Sequence, residues 1–326
     1  MKVICLPGDG IGPEVMAAAR DVLARLAPDL ELEDRPFGGG AILELGTPLP
    51  DETLAACKQA DAVLLAAVGL PQLDAADVRP EQGLIGLRRE LDVYANLRPA
   101  RDGAVDLLVV RELVGGLYYG ARGVREDGTV FDTCEYHPSQ VERIVRRAFG
   151  LAGARRRKLT SVDKANVLET SRLWRRVVTE VAKDYPDIEL EHVLVDTAAM
   201  QLVQAPERFD TIVTENTFGD ILSDEAAAVT GGLGLAASAS VGDSGPGIFE
   251  PVHGSAPDIA GRGTANPAAM LRSVALMLEH GLDRPEPARR LESAVDEALA
   301  RTPTPDLGGN ATTVEFTETV LEAVAR

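Results

Sequence analysis

Two aspartates one helical turn apart, in Phe218-Gly219-Asp220-Ile221-Leu222-Ser223-Asp224, have the spacing most suited to chemistry in this chain. Positions i and i+4 lie one above the other on a helix face. Asp220 and Asp224 therefore offer hard oxygen donors toward one point, a pair that suits a divalent cation such as Mg²⁺ or Mn²⁺. The same pattern also fits solvated surface acids, or a helix capped by Asp220 after Gly219. Asp196, read as the end of the strand Val193-Leu194-Val195, is a third candidate oxygen ligand.

Cations accompany the acids. Glu81, Leu84, Ile85 and Arg88 stand at i, i+3, i+4 and i+7 after Arg79-Pro80 and share one helix face. Arg98 lies in Asn96-Leu97-Arg98-Pro99, and Arg111 ends the apolar run Leu107-Leu108-Val109-Val110. A guanidinium at the carboxyl end of a buried strand is costly unless it meets an anion, because it does not deprotonate. Its fork matches a carboxylate. Three such arginines, the first beside two apolar residues, suit a small acid bearing carboxylates and an alkyl group; each alone fits a structural ion pair equally well.

Lysine is scarce: Lys2, Lys58, Lys158, Lys164 and Lys183 are the only ones among 33 Lys and Arg. Lys164, in Asp163-Lys164-Ala165-Asn166, follows a strand-like run, and a lysine, unlike arginine, can give up its proton when desolvated. Pairing with Asp163 is the alternative. Tyr118, in Gly115-Gly116-Leu117-Tyr118-Tyr119-Gly120, offers a phenol beside a flexible glycine turn, able to protonate a developing enolate or to pack in a core. The stretch Glu250-Pro251-Val252-His253-Gly254-Ser255-Ala256-Pro257-Asp258-Ile259-Ala260-Gly261 is polar, glycine-rich and long for a structural loop. Its small residues permit close approach to a ligand. Asp258 suits the two hydroxyls of an adenosine ribose and would repel a 2′-phosphate, and His253 suits the adenine side.

An alternation of strands and helices positions these groups. Val3–Leu6, Ala62–Val68, Asp106–Val110, Lys158–Val162, Leu190–Val195 and Asp210–Val213 read as buried strands. Glu14–Leu26, Glu52–Ala60, Ser139–Ala152, Ser171–Asp184 and Ile221–Val229 read as helices, and Pro267–His280, Pro285–Ala300 and Thr312–Val324 close the chain as helices without intervening strands. That alternation predicts an α/β fold with a mostly parallel sheet. Gly8-Asp9-Gly10-Ile11-Gly12-Pro13 follows the first strand, but its spacing is not that of an ordinary Rossmann fingerprint. Gly231-Gly232-Leu233-Gly234 and a turn at Arg98-Pro99 are the predicted crossing points between two lobes. A net charge of −18 argues against nucleic acid and anionic membranes as partners. No apolar run spans a bilayer, the three cysteines lack metal or disulfide spacing, and a cytoplasmic location is expected.

Jointly, Leu6 to Glu14, Asn96-Leu97-Arg98-Pro99, Val110-Arg111-Glu112, Asp163 to Leu168, Phe218 to Asp224 and Glu250 to Gly261 resemble the β-decarboxylating dehydrogenases, which act on isopropylmalate, isocitrate, homoisocitrate and tartrate or D-malate. The resemblance covers nearly the whole chain. It implies a two-domain α/β fold with a large mixed, mostly parallel twisted sheet flanked by helices: a discontinuous cofactor domain near 1–93 plus 231–326, and a substrate, metal and dimerisation domain near 94–230. It implies that Arg88, Arg98 and Arg111 hold substrate carboxylates. Asp220 and Asp224, with Asp196, would bind Mg²⁺ or Mn²⁺ and, through it, substrate. Lys164 would accept the hydroxyl proton and Tyr118 would protonate the enolate after CO₂ leaves. Lys164 and Asp196 would come from the neighbouring subunit, so a homodimer with shared sites is expected. NAD would be held by Ile11, Glu250, His253, Gly254, Ser255, Ala256, Pro257, Asp258, Ile259 and Asn266.

Within the resemblance, Glu81, Leu84 and Ile85 look like an isopropyl pocket, which implies NAD-dependent oxidative decarboxylation of (2R,3S)-3-isopropylmalate to 4-methyl-2-oxopentanoate and CO₂ in leucine biosynthesis. D-malate or tartrate, homoisocitrate and isocitrate are the alternative substrates, and a ligand-binding regulatory homologue is the non-enzymatic alternative. The segments between Pro99 and Asp106 and from Gly69 to Arg79 are shorter than in many members.

Overall fold

The computed structural model describes all 326 residues. The chain divides into two compact units, Met1–Val93 with Leu233–Arg326, and Tyr94–Gly232. The first unit opens with β1 (Lys2–Gly8), α1 (Gly12–Leu26), β2 (Glu31–Asp34), α2 (Gly38–Leu45), α3 (Asp51–Gln59), β3 (Ala62–Ala67) and α4 (Pro80–Glu90). The second contains β4 (Ala95–Asp102), β5 (Val105–Glu112), β6 (Arg122–Val124), β7 (Val130–Asp132), α5 (Pro138–Gly153), β8 (Lys158–Asp163), α6 (Glu169–Val181), β9 (Glu189–Leu194), α7 (Val195–Gln204), β10 (Thr211–Thr214) and α8 (Asn216–Val229). The first resumes with β11 (Ala237–Val241), β12 (Gly247–Pro251), α9 (Ala268–Leu276), α10 (Pro285–Arg301) and α11 (Thr313–Val324).

In the first unit the strands run β2-β1-β3-β12-β11. All neighbours are parallel except β11 and β12. β3 is buried along its whole length, as a strand covered on both faces must be. Its mean composition of Ala, Val and Leu follows from that. In the second unit the order is β4-β5-β10-β8-β9, parallel from β5 onward, with β4 antiparallel to β5. The ends of the parallel strands fall level: Arg111 pairs with Thr214, Thr214 with Val162, and Asp163 with Leu194. Ligands of open α/β sheets gather beyond the carboxyl ends of such strands. Helices cover the sheet with regular apolar stripes; α5 buries Val141, Ile144, Val145, Ala148, Phe149 and Ala152. No helix is long and apolar enough to cross a membrane.

Two expectations are corrected. Arg98-Pro99 is not a turn: β4 runs straight through it, with Pro99 opposite Leu108, and reverses only at Gly103-Ala104, where Gly103 takes φ 53°. Extended backbone accommodates the ring, and the reversal needs the residue without a Cβ. Asp196 does not end a strand. β9 stops at Leu194 and α7 begins at Val195 with no linker, which puts Asp196 in the first helical turn.

Candidate active site

Helix α8 carries the acid pair, and its start is fixed by Glu215, whose Oε1 accepts a hydrogen bond from Phe218 N at 2.7 Å. Asp220 and Asp224 therefore lie inside the helix, one turn apart, rather than at its cap. Opposite them stand two arginines. Arg98 donates from Nη1 to Asp224 Oδ1 (2.8 Å) and Ser223 Oγ (2.9 Å), and from Nε to Asn96 Oδ1 (2.9 Å). Arg111 donates from Nε (2.9 Å) and Nη2 (2.8 Å) to Asn216 Oδ1, and from Nη1 to Asp220 Oδ1. Its side chain is only 3% exposed, so it survives burial through these partners.

Tyr118 closes the group. Its hydroxyl donates to Asp220 Oδ2 at 2.7 Å, and the Arg111 guanidinium lies 5.6 Å from its ring centroid. Burial, reinforced by the bond to Asp220, pushes the phenol up to about 12, so it holds its proton at neutral pH. The turn that carries it is packed tightly rather than free: a Cβ on Gly116 would lie 2.5 Å from Tyr136 Oη, and one on Gly115 2.6 Å from Tyr136 Cε1. Desolvation also raises the Asp224 carboxyl. An acid held up by burial, with two arginines and a second carboxylate around it, is a compact charge cluster of the kind found at functional sites.

Lys164 and Asp196 are elsewhere in the same unit. Lys164 follows β8, donates from Nζ to Asp196 Oδ1 at 2.5 Å, and is anchored through its backbone N, which donates to Ser171 Oγ (3.0 Å). The hydrogen bond from Lys164 holds the Asp196 carboxyl below its usual range. Asp163, the other expected partner, instead accepts both arms of Arg175 at 2.8 Å. No group of three metal-ligating residues forms within the chain, so Asp196 does not join Asp220 and Asp224 there. Two hard carboxylates on one face fit a Mg²⁺ or Mn²⁺ ion, but as an incomplete set.

The remaining expected residues are in the first unit. Glu81, Leu84 and Ile85 lie on the outward face of α4, while Gly83 and Leu87 are buried behind them. Arg88 donates from Nη2 to Glu250 Oε1 at 2.6 Å, and its Nε is buried without a partner. The loop after β12 is pinned at three points. Ile11 N donates to Ser255 O (2.8 Å), Gly263 N and Ala265 N donate to the Glu14 carboxylate (3.3 and 3.0 Å), and Asn266 Nδ2 donates to Asp306 Oδ2 (3.0 Å). Gly254, Ala256, Pro257 and Asp258 are exposed and Ile259 is half-buried. A Cβ on Gly254 would meet nothing within 4 Å, and Ala256 holds φ 39°. His253 Nδ1 donates to Gly254 O (2.9 Å), while Nε2 is buried and unpartnered, and burial lowers its pKa. A pinned loop with an exposed acid and an orphaned ring nitrogen fits a dinucleotide.

Residue-by-residue reading missed Asn216, which turns Arg111 toward Asp220, and Ser223, which shares Arg98 with Asp224. Only the position of Asn216 directly before the acid pair's helical turn could have signalled it.

The profile of the isocitrate/isopropylmalate dehydrogenase family matches residues 2–324, and the chain belongs to that family. It is 50% identical over 339 residues to the 3-isopropylmalate dehydrogenase of Bacillus cereus (strain ZK / E33L), covering 98% of this chain and 96% of that one. It is 50% identical over 340 residues to the 3-isopropylmalate dehydrogenase of Streptococcus pneumoniae (strain ATCC BAA-255 / R6), covering 98% of both. Among solved structures, the isocitrate dehydrogenase of Methylococcus capsulatus superposes with TM-score 0.92 at 40% identity, over 100% of this chain and 99% of that one. The alignment to the B. cereus enzyme is longer than the 326 residues of this chain, so it contains gaps on this side. The two-residue connection between β4 and β5 fits such a gap.

Proposed function

We propose that this chain catalyses NAD-dependent, Mg²⁺- or Mn²⁺-requiring oxidative decarboxylation of (2R,3S)-3-isopropylmalate to 4-methyl-2-oxopentanoate and CO₂, in leucine biosynthesis. The observation that carries the reading is the Arg98, Arg111, Tyr118, Asp220 and Asp224 cluster, in a chain half-identical to enzymes named for that substrate. When bound, NAD would supply the hydride acceptor and the dication, held by Asp220 and Asp224, would supply positive charge against the enolate oxygen. Arg98 and Arg111 bind and orient carboxylates, and Arg88, with its unsatisfied Nε, supplies a third fork. Leu84 and Ile85 present apolar surface to the alkyl group; burying a few methyl groups yields about 1–3 kcal/mol of preference. Lys164 takes the hydroxyl proton. Tyr118 delivers its proton to the enolate carbon, a transfer its elevated pKa leaves it equipped for at neutral pH. Asp258 and His253 bind the adenosine end of NAD, with Ile11 and Asn266 holding the loop.

Lys164 and Asp196 act, in this reading, on the site of a second copy. Met200, Val203 and Ile221 are 51%, 62% and 60% exposed on the neighbouring helices α7 and α8, and Val124 and Val130 are 69% and 72% exposed on the β6–β7 hairpin. Such surfaces support burial in a homodimer. A cytoplasmic location accords with the family's soluble biosynthetic chemistry.

The experiment is a substrate panel with NAD⁺ and NADP⁺, Mg²⁺ present: 3-isopropylmalate, isocitrate, homoisocitrate and D-malate, with Lys164→Met as control. Highest kcat/KM is expected for 3-isopropylmalate with NAD⁺, and almost none for the variant. Faster turnover of another substrate overturns the assignment of Leu84 and Ile85.

A further inference from the structure

Lys164 opens the turn between β8 and α6, and every backbone polar group of Lys164 and Ala165 in that turn has a partner. Lys164 N donates to Ser171 Oγ (3.0 Å), and Lys164 O accepts from Val167 N (3.0 Å) and Leu168 N (2.9 Å). Ala165 N donates to Asp163 Oδ1 (2.9 Å), and Ala165 O accepts from Arg172 Nε (3.1 Å). Lys164 and Ala165 are half-buried and the next three residues are exposed, so water could serve these groups as well. Three side chains are committed to them instead.

Asp163 is the centre of that scaffold. Its side chain is 1% exposed, and Arg175 on α6 meets it with a fork, Nε on Oδ2 and Nη2 on Oδ1, both at 2.8 Å. A lone carboxylate at that depth would be costly; a bidentate guanidinium keeps it ionised and fixes its orientation. The remaining lone pair on Oδ1 is then aimed at Ala165 N. Ser171, Arg172 and Arg175 stand together on the first two turns of α6, so one side of that helix grips the turn. Lysine carries its amine on a flexible four-carbon stem, and a base works only within about 2.6–3.2 Å of the proton it takes. Asp196 holds the far end of that stem, and the turn sets the near one. We propose that Asp163 and Arg175 are positioning residues for Lys164: the fork fixes the buried carboxylate, and the carboxylate fixes the turn that aims the amine.

The same unit holds a second pair of this chemistry at the other end of the strands. Asp210, also 1% exposed, accepts from Arg155 Nε (2.9 Å) and from the backbone N of Arg156 (3.0 Å) and Lys158 (3.3 Å). It stands where β8 and β10 begin, whereas Asp163 stands where β8 ends. Ligands gather at the carboxyl ends of such strands. Arg155 with Asp210 is therefore a purely structural pair, and the contrast between the two separates positioning from stability.

The role rests on Lys164 being the base, so two measurements are needed. Hydrogen exchange without substrate reads the turn. The Ala165 amide should exchange at least about tenfold faster in Arg175→Met and Asp163→Ala than in the wild type or in Arg155→Met. Unchanged exchange in the folded variants overturns the scaffold. Kinetics reads aim: Arg175→Met and Asp163→Ala should each lower kcat roughly tenfold with KM for 3-isopropylmalate changed less than about twofold. Arg175→Lys, which keeps the charge but loses the fork, should recover part of that loss, and Arg155→Met should lower Tm with kcat unchanged. Unchanged kcat in the first two variants, a KM that rises as far as kcat falls, or an equal loss of kcat in Arg155→Met overturns the positioning role. Arg175→Lys carries both measurements if the other two do not fold, with faster exchange and lower kcat expected. A wild type that does not turn over 3-isopropylmalate overturns the functional reading instead, and leaves the exchange result standing.

Discussion

Replacing Gly219 by alanine pits helix propensity against packing, and the structure decides which wins. Gly219 is in the body of α8, where alanine is better than glycine by about 1 kcal/mol. A Cβ there would lie 2.6 Å from Arg111 Cγ, 2.7 Å from Arg111 Cβ and 3.2 Å from its Cδ. Comfortable carbon contacts are about 3.5–4.0 Å, so the helix and the arginine stem must part by roughly 1 Å. Arg111 cannot swing aside: its Cβ is fixed by the β5 ladder and its head by three hydrogen bonds to Asn216 and Asp220. Overpacking costs about 1–3 kcal/mol, and loosening one charge-assisted hydrogen bond about 1.5–3 kcal/mol more. The net is a loss of about 1.5–5 kcal/mol, which lowers Tm by roughly 2–4 °C per kcal/mol for a unit of this size. Displacing Asp220 by that distance lowers kcat/KM by up to about a hundredfold. Gly150→Ala is the control, since Gly150 sits inside α5 with nothing within 4 Å of its Cβ position. Calorimetry should show Gly150→Ala stabilised and Gly219→Ala destabilised, with kcat/KM falling only in the latter. Equal stabilisation of both, with kinetics intact, would refute the reasoning.

Tyr118→Phe removes the donor to Asp220 and the proposed proton source, and should lower kcat by about 10²–10⁴-fold with an unchanged circular dichroism spectrum; less than a threefold loss rules out the donor role. Mg²⁺ and substrate should strengthen each other's binding, because the acids are paired with the arginines that the substrate would claim: each ligand releases the other's groups. Calorimetric titration of Mg²⁺ with and without 3-isopropylmalate tests this, and equal Kd values refute it. Asp9→Ala should cost at least about 3 kcal/mol by chemical denaturation, since the buried Asp9 carboxylate serves Gly39 N (2.8 Å), Gly40 N (2.9 Å) and Gly69 N (3.0 Å) and three orphaned amides would remain. A change below about 1 kcal/mol would mean that water replaces it.

The parallel core was legible because buried strands write themselves as short apolar runs; β1, β3, β5, β8 and β10 follow that rule. The missed elements take their stability from partners distant in sequence. Helix α2 opens with Gly38-Gly39-Gly40, which reads as a loop, yet Asp9, about thirty residues earlier, accepts its first amides and occupies the space a Cβ on Gly38 would need. Strand β11, Ala-Ser-Ala-Ser-Val, is wholly buried but has no apolar signature, and β12 begins with glycine and ends with proline. In the site, spacing was enough to put Asp220 and Asp224 on one face, because i and i+4 is a local relation. Arg98, Arg111 and Tyr118 reach them across more than a hundred residues, and no local pattern encodes that.

The order of strands explains why one chain holds the acid pair and the Lys164–Asp196 pair apart. Arg111 stands at the end of β5, and α8 departs from β10 beside it; Lys164 follows β8 and Asp196 follows β9, the outermost strand. Strands in a sheet are about 4.8 Å apart, so β9 is removed from β10 by roughly 10 Å before any side chain extends. Helices α7 and α8 then pack side by side through Ala198, Leu202, Leu222 and Ala226, which fixes that separation in a close-packed core. Asp196 cannot cross it without unpacking the helices. A second copy related by a two-fold axis can bring its own Lys164 and Asp196 to this chain's acids while receiving the same in return, because an isologous contact repeats every approach twice. The apolar residues left outside on α7 and α8, Met200, Val203 and Ile221, belong to the same helices, so the contact that would complete the ligand set is also the one that would remove them from water.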